Sequence, residues 1–213
     1  MNKIILVSMM CAFASAKAFA APDYDASLKS FRQTLSDLVK ADTTNPPGNE
    51  ERAVKILASR LKAEKIPFEI VEFAPGRQDI VARLKGTGPA KPLLLLAHID
   101  VVGVKDQNWS VPPHEVTEKD GFLYGRGVRD DLGSAVMNLE TFISLKRERV
   151  PLKRDVIVAF TGDEESGGEG VKYLLKHRPE LVDAGLVLNE GGSYSQNDED
   201  KVTAVKLQPA EKI

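Results

Sequence analysis

The sequence predicts an α/β fold in which a mostly parallel sheet is sandwiched between helices. Two unbroken apolar runs, Leu93-Leu94-Leu95-Leu96-Ala97 and Val156-Ile157-Val158-Ala159-Phe160, read as strands buried on both faces. Segments with helical periodicity alternate with them, and right-handed crossovers between parallel strands are the simplest way to connect such a series. Both runs also stop abruptly in polar chemistry, at His98-Ile99-Asp100 and Gly162-Asp163-Glu164-Glu165. Open α/β sheets keep their ligands at those strand ends.

Taken in order, the chain begins with Lys3, an apolar run from Ile4 to Ala16, and Ala18-Phe19-Ala20 as a small-x-small cleavage site. That is the pattern of a secretory leader over residues 1–20, too short to span a bilayer. A periplasmic or secreted product follows, with no membrane anchor after cleavage. Tyr24 to Lys40 carries Leu28, Phe31, Leu35, Leu38 and Val39 at helical spacing, and a second helix is expected from about Glu50. Thr43 to Asn49 between them is a loop, because Pro46, Pro47 and Gly48 cannot continue a helix. Phe68 to Phe73 and Asp79 to Leu84 alternate as strands around a Pro75-Gly76 turn.

After the leucine strand, Val101 to Gly127 reads as a long irregular connection. Asp131 to Arg149 reads as a helix with Val136, Leu139, Ile143 and Leu145 buried, and Asp155 to Thr161 as the second buried strand. A short helix over Gly170 to Lys176 and a third buried strand over Gly185 to Leu188 follow, then a last strand over Val202 to Gln208.

The chain has 213 residues and 42% hydrophobic content, enough for the core of one ordinary domain. Without the leader, 27 basic residues stand against 31 acidic ones, a balance that gives no support for nucleic acid or an anionic membrane as partner. Cys11, the one cysteine, lies in the leader, which excludes disulfides and a thiol nucleophile from the mature chain.

The chemistry gathers at strand ends. His98 and Asp100 are two residues apart on an extended segment and so share a side, where the carboxylate can hold one ring nitrogen and leave the other free. Glu164 and Glu165 close the second strand, Glu190 closes the third, and Asp130-Asp131 open a helix after Gly125-Arg126-Gly127. One imidazole among several carboxylates suits a divalent ion, with zinc the usual choice for hydrolysis and manganese or cobalt as alternatives. Gly125-x-Gly127 lacks the strand-and-helix context of a dinucleotide loop, and no Gly-x-Ser-x-Gly nucleophile turn is present. His114 and His177 read as surface residues, and Trp109 as either a packed loop residue or part of a substrate mouth.

Together the segments Ala97 to Val102, Gly125 to Gly133, Thr161 to Gly168, Asn189 to Gly192 and Asn45 to Asn49 resemble the M20 family of metallopeptidases and amidohydrolases. That group includes carboxypeptidases, dipeptidases, aminoacylases, and acetylornithine and succinyl-diaminopimelate deacylases; Asn189 to Gly192 and the leader resemble its carboxypeptidase S-like branch. The resemblance implies a three-layer zinc-peptidase-like catalytic domain holding two divalent metal ions. It assigns His98, Asp130 and Glu190 to one metal, with Asp130 bridging, and Glu165 to the other. Asp100 would orient His98, Glu164 would be the general base for a metal-activated water, and the Asp130–Asp131 peptide would be cis. The substrate class implied is a small peptide or an N-acyl amino acid.

Two departures stand out. Leu132 replaces a lysine usual after the aspartate pair, which bears on fine geometry near the site and not on metal binding. The sequence stops at Ile213, where such proteins enter a lid domain used for dimerisation, followed by a segment with the second metal's histidine. Residues 21–213 therefore read as the N-terminal part of a catalytic domain. Two readings follow: a zinc-dependent amide hydrolase of which this is a portion, or a non-catalytic metal-binding remnant lacking that histidine.

Overall fold

The computed structural model describes residues 23–191, 193–198 and 201–206; the expected leader, and the stretch of the last expected strand beyond Lys206, lie outside them. The chain runs α1 (Tyr24–Ala41), α2 (Glu51–Ala63), β1 (Phe68–Ala74), β2 (Arg77–Leu84) and β3 (Ala90–His98). It continues through β4 (Thr117–Lys119), β5 (Phe122–Tyr124), α3 (Leu132–Arg147), β6 (Arg154–Thr161) and α4 (Glu169–His177). α5 (Pro179–Val182), β7 (Leu186–Leu188), β8 (Ser193–Gln196) and β9 (Val202–Lys206) complete it.

The central sheet has the order β1-β2-β6-β3-β7. β3 runs parallel to β6 and β7, while β2 is antiparallel to both β6 and β1, so β2 alone opposes the rest. Alternation along the inner strands sorts the side chains into two layers. Val156, Val158 and Phe160 join Leu95 and Ala97 against Leu35, Leu57, Leu139 and Phe142 of α1, α2 and α3. Ile157, Ala159 and Leu94 point the other way, onto Leu174 of α4 and Val182 of α5. Each Val, Leu, Ile or Phe among them contributes roughly 1.5–3 kcal/mol on full burial. This is the expected three-layer α/β arrangement.

The expected helices form for identifiable reasons. In α1, Leu35, Leu38 and Val39 are buried on one stripe, the Asp23 side chain caps the first turn by accepting from the Ala26 N–H at 3.0 Å, and Asp42 ends it at φ 49°. α4 starts after Gly168, which takes φ 73°.

Three expectations need correction. The connection after β3 is not irregular throughout, because it folds Thr117 to Tyr124 into a hairpin around Asp120 and Gly121, at φ 53° and 79°. Asp-Gly between short alternating runs is the sequence signal of such a turn. The strand over Leu186 to Leu188 is not buried: it is an edge strand, with Leu186, Val187 and Leu188 each about half exposed. An apolar run reports the propensity to be covered, not whether a neighbour is there to cover it. α5 and β8, finally, were not anticipated.

Register is what places the site. His98 pairs with Thr161 across β3 and β6, and the Ile99 N–H donates to the Thr161 carbonyl at 2.9 Å. The two polar tips therefore leave the sheet side by side, and Leu188 opposite Leu95 brings Asn189-Glu190 up on the other flank. A one-residue slip would turn His98 to the opposite face.

Candidate metal centre

Four segments converge above β3. His98 ends that strand; Asp130 precedes α3; Glu164 and Glu165 follow β6; Glu190 follows β7. His98 Nε2 lies 2.9 Å from Asp130 Oδ1 and 3.9 Å from Glu190 Oε1, and one donor atom of each of the three residues falls within 4.8 Å of the others. His98 is buried, whereas the Asp130 side chain is 60% exposed and that of Glu190 33%. The site is thus anchored below and open above.

The imidazole is aimed from behind. Nδ1 lies 2.9 Å from the Asp100 carbonyl oxygen, and since a carbonyl only accepts, Nδ1 carries the hydrogen. The Asp100 carboxylate is farther, with Oδ1 at 3.5 Å, so the ring is held chiefly by main chain and not, as the spacing suggested, by the carboxylate alone. Nε2 is left facing Asp130 and Glu190. Burial by itself would lower the His98 pKa, but Asp100, Asp131 and Glu190 outweigh it and raise it to about 10. Burial and the charges of Asp131, Asp130 and Glu164 in turn push Glu190 up, against the pull of His98.

This donor set fits a divalent ion. Metal–ligand bonds of about 2.0–2.2 Å in tetrahedral geometry put donor atoms about 3.4 Å apart, and 2.9 and 3.9 Å bracket that spacing. A cation there would take the place of the imidazole proton and relieve the crowding of carboxylates that raises Glu190. Among the described residues this is the one such trio of donors.

Glu165 stands beside that trio and outside it. Burial and the charges of Asp130, Asp100 and Glu164 raise its pKa while His98 lowers it. No second imidazole joins it among the described residues: His114 Nδ1 lies 3.6 Å from Asp42, and His177 sits against the Tyr173 ring at 4.4 Å. His114 is half-buried rather than a plain surface residue. Trp109 packs under the Arg126 guanidinium at 5.1 Å.

Asp131 occupies the position before α3 but makes no side-chain cap; its Oδ2 instead accepts from the His98 N–H at 3.2 Å. The Asp130–Asp131 peptide is cis, as the resemblance implied. Leu132, the departure noted above, is buried at the head of α3 against Gly127.

Beneath the site lies a polar floor that sequence reasoning missed. Asp100 is fully buried, and its carboxylate accepts from Asn45 Nδ2 (2.8 Å), the Glu164 N–H (3.1 Å) and the Glu165 N–H (3.2 Å). Asn45 also donates to Asp163 at 3.1 Å, Arg77 bridges Asp163 at 3.0 Å to the buried Glu50 at 2.7 Å, and Asp79 accepts from the Gly162 N–H at 2.9 Å. Gly162 itself has no room for a side chain, since a Cβ would lie 2.7 Å from the Glu50 carboxyl.

Residues 94–212 match the peptidase family M20/M25/M40. Aminoacylase-1 of Sus scrofa is 34% identical over 165 residues, covering 76% of this chain and 40% of that protein. The di-peptidase Dug1p from Saccharomyces cerevisiae superposes with a TM-score of 0.67 at 18% identity, over 80% of this chain and 40% of that one. The YXEP protein of Bacillus subtilis, described as a dinuclear metal binding peptidase, gives 0.53 at 18% identity over 79% and 45% of the two chains. At these identities the two structures speak to the fold. The chain spans about two-fifths of the length of aminoacylase-1. With the match extending over more than half its residues, this chain belongs to the peptidase family M20/M25/M40.

Proposed function

We propose that the protein carrying this chain hydrolyses an amide bond of a small peptide or an N-acyl amino acid, using two divalent ions, preferentially zinc. The observation that supports this most is the trio His98, Asp130 and Glu190 within 4.8 Å at the strand tips, with the Glu164 main chain anchored beside it by its N–H on Asp100 Oδ1 at 3.1 Å. Asp130, shared between His98 and the side facing Glu165, is suited to bridge the two positions. Ions held there supply the charge that polarises an amide carbonyl and acidifies a water. Around them the chain's own groups do the rest. Asp100 keeps Nε2 of His98 turned to its ligand position, and Glu164 takes a proton from the attacking water and passes it to the leaving nitrogen as the C–N bond breaks. The leader-like residues 1–20 support a site of action in the periplasm or outside the cell.

A second reading, metal binding without catalysis, draws on the fact that no second imidazole joins Glu165 among the described residues. One assay separates them. Glu164→Gln, measured on dipeptides and N-acetyl amino acids with zinc content monitored, is expected to lower kcat by roughly 10²–10⁴-fold while retaining the metal. An unchanged rate would sink the hydrolase assignment.

A further inference from the structure

Asn45 lies in the loop between α1 and α2, and Arg77 opens β2; neither follows an apolar strand in sequence, yet both end in the floor of the site. An amide nitrogen carries two hydrogens, and Asn45 spends both on carboxylates, Asp100 Oδ2 at 2.8 Å and Asp163 Oδ1 at 3.1 Å. Flipping the amide would set its oxygen against those same carboxylates, so the orientation is chemically determined. The Asn45 main chain is fixed as well, because its N–H donates to the Val101 carbonyl at 2.8 Å.

Arg77 plays the complementary part. Its Nε donates to Glu50 Oε2 at 2.7 Å, and Nη2 reaches both Glu50 Oε1 and, at 3.0 Å, Asp163 Oδ1. One guanidinium thus offsets two buried carboxylates through a planar fork that an ammonium could not reproduce. Asp163 is in turn held in the left-handed region at φ 69°, with Oδ2 accepting from the Glu169 N–H at 3.2 Å and its carbonyl from the Gly167 N–H at 3.0 Å. The next two peptides place the Glu164 and Glu165 N–H groups on the two oxygens of Asp100, at 3.1 and 3.2 Å. Asn45 joins the two carboxylates that define this turn, and Arg77 holds the outer one.

We propose that Asn45 and Arg77 are positioning residues: by fixing Asp100 and Asp163 they set the turn that aims the side chains of Glu164 and Glu165. This rests on the hydrolase reading for its consequence in turnover. The alternative is a buried network that stabilises the fold and nothing more. The two differ in where the loss appears. After Asn45→Ala, Asp100 keeps its two main-chain donors and Asp163 keeps Arg77, so the loosening stays in the turn.

The test is amide hydrogen exchange by NMR on the full chain, comparing Asn45→Ala and Arg77→Lys with the parent. Exchange at Glu164 and Glu165 is expected to rise about 10-fold or more with Ile157 and Val158 in β6 unchanged. In the zinc-loaded hydrolase the same variants should lose about 10- to 100-fold in kcat, with KM and metal content preserved. Asn45→Ser, which keeps one donor, should fall between Asn45→Ala and the parent. Exchange rising equally across β6, general unfolding of all three variants, or kcat within about twofold of the parent overturns the proposal. The exchange result needs no activity, so a local effect in Asn45→Ala beside an unchanged rate in Glu164→Gln would reject the hydrolase reading and leave the positioning of the turn standing.

Discussion

Asp100 and Asp130 flank the same imidazole, and the contrast between them organises the site. Asp100 is wholly buried, with each carboxylate oxygen accepting from fixed donors. Asp130 is largely exposed and presents an oxygen to His98 Nε2 from the solvent side. Both are acids in contact with His98, but one is committed to the protein and the other is available to something from outside it. The difference teaches how to tell a ligand from a support: a carboxylate whose lone pairs are taken up by main-chain N–H groups has little capacity left for a metal. It also predicts that rim and floor will fail differently when altered.

The largest expected effect is at the rim. Glu190→Ala removes one of the three proposed metal donors and should weaken zinc binding by about 100-fold or more, as read by calorimetry. The metal-free protein should lose less in melting temperature than the floor variant Asp163→Ala, because Glu190 is partly exposed and is only one of several charges around His98. A loss equal to that of Asp163→Ala would break the distinction.

His98 belongs to both regions, and pH exposes the link. Its folded-state pKa of about 10 lies above the unfolded value, so the protonated ring stabilises the metal-free fold fully below about pH 6.5. That contribution is lost as pH rises toward 10, the reverse of a depressed carboxylate. Thermal melts of the metal-free chain should therefore decline over that interval, while zinc affinity climbs as the competing proton leaves. A flat melting profile between pH 7 and 10 would show that the carboxylates around the ring do not hold its proton.

A smaller effect sharpens the picture of the floor. Burial, together with the charges of Glu50 and Asp100, raises Asp79 to about 7 against the opposing Gly162 hydrogen bond, and its Oδ2 is buried without a partner. With the folded pKa above the unfolded one, the protein is favoured at low pH and loses that advantage as pH rises through 7. Asp79→Asn keeps an acceptor for Gly162 and removes the charge. Its advantage over the parent in urea unfolding should grow between about pH 4 and 7, by on the order of 1 kcal/mol or more from pH 5 to pH 8. An equal difference at both pH values would mean that Asp79 does not titrate.

The rim was legible in the sequence, and the floor only in part. His98, Glu164, Glu165 and Glu190 each follow an apolar run, so strand end and polar tip are read in one glance along the chain, and Asp100 and Asp163 lie in the same tips. Glu50 and Arg77 come from separate segments, each an ordinary residue where it sits, and nothing local shows that Asn45 in its loop reaches both of those acids. Nothing local distinguishes Arg77 in a Pro-Gly turn from a solvated arginine until the register of β2 against β6 brings Ile80 opposite Phe160 and carries it to Asp163. The edge position of β7 escaped for the same reason, since its Leu-Val-Leu run looks alike with or without a neighbour. Asp120-Gly121, by contrast, was a local signal and simply passed unread.

The closeness of Gly162 to Glu50 carries one further consequence, for how such a site changes over generations. Glu50, Arg77, Gly162 and Asp163 form an interlocked set, in which enlarging the glycine displaces the first acid and losing the arginine removes the guanidinium from Glu50 and one donor from Asp163. Replacing Gly162 or Arg77 alone disturbs the buried Glu50 charge before a second change can repair it. Drift in that set is therefore epistatic: its members can be exchanged only together. The rim has no such lock, and can be retuned one residue at a time above an unchanging floor.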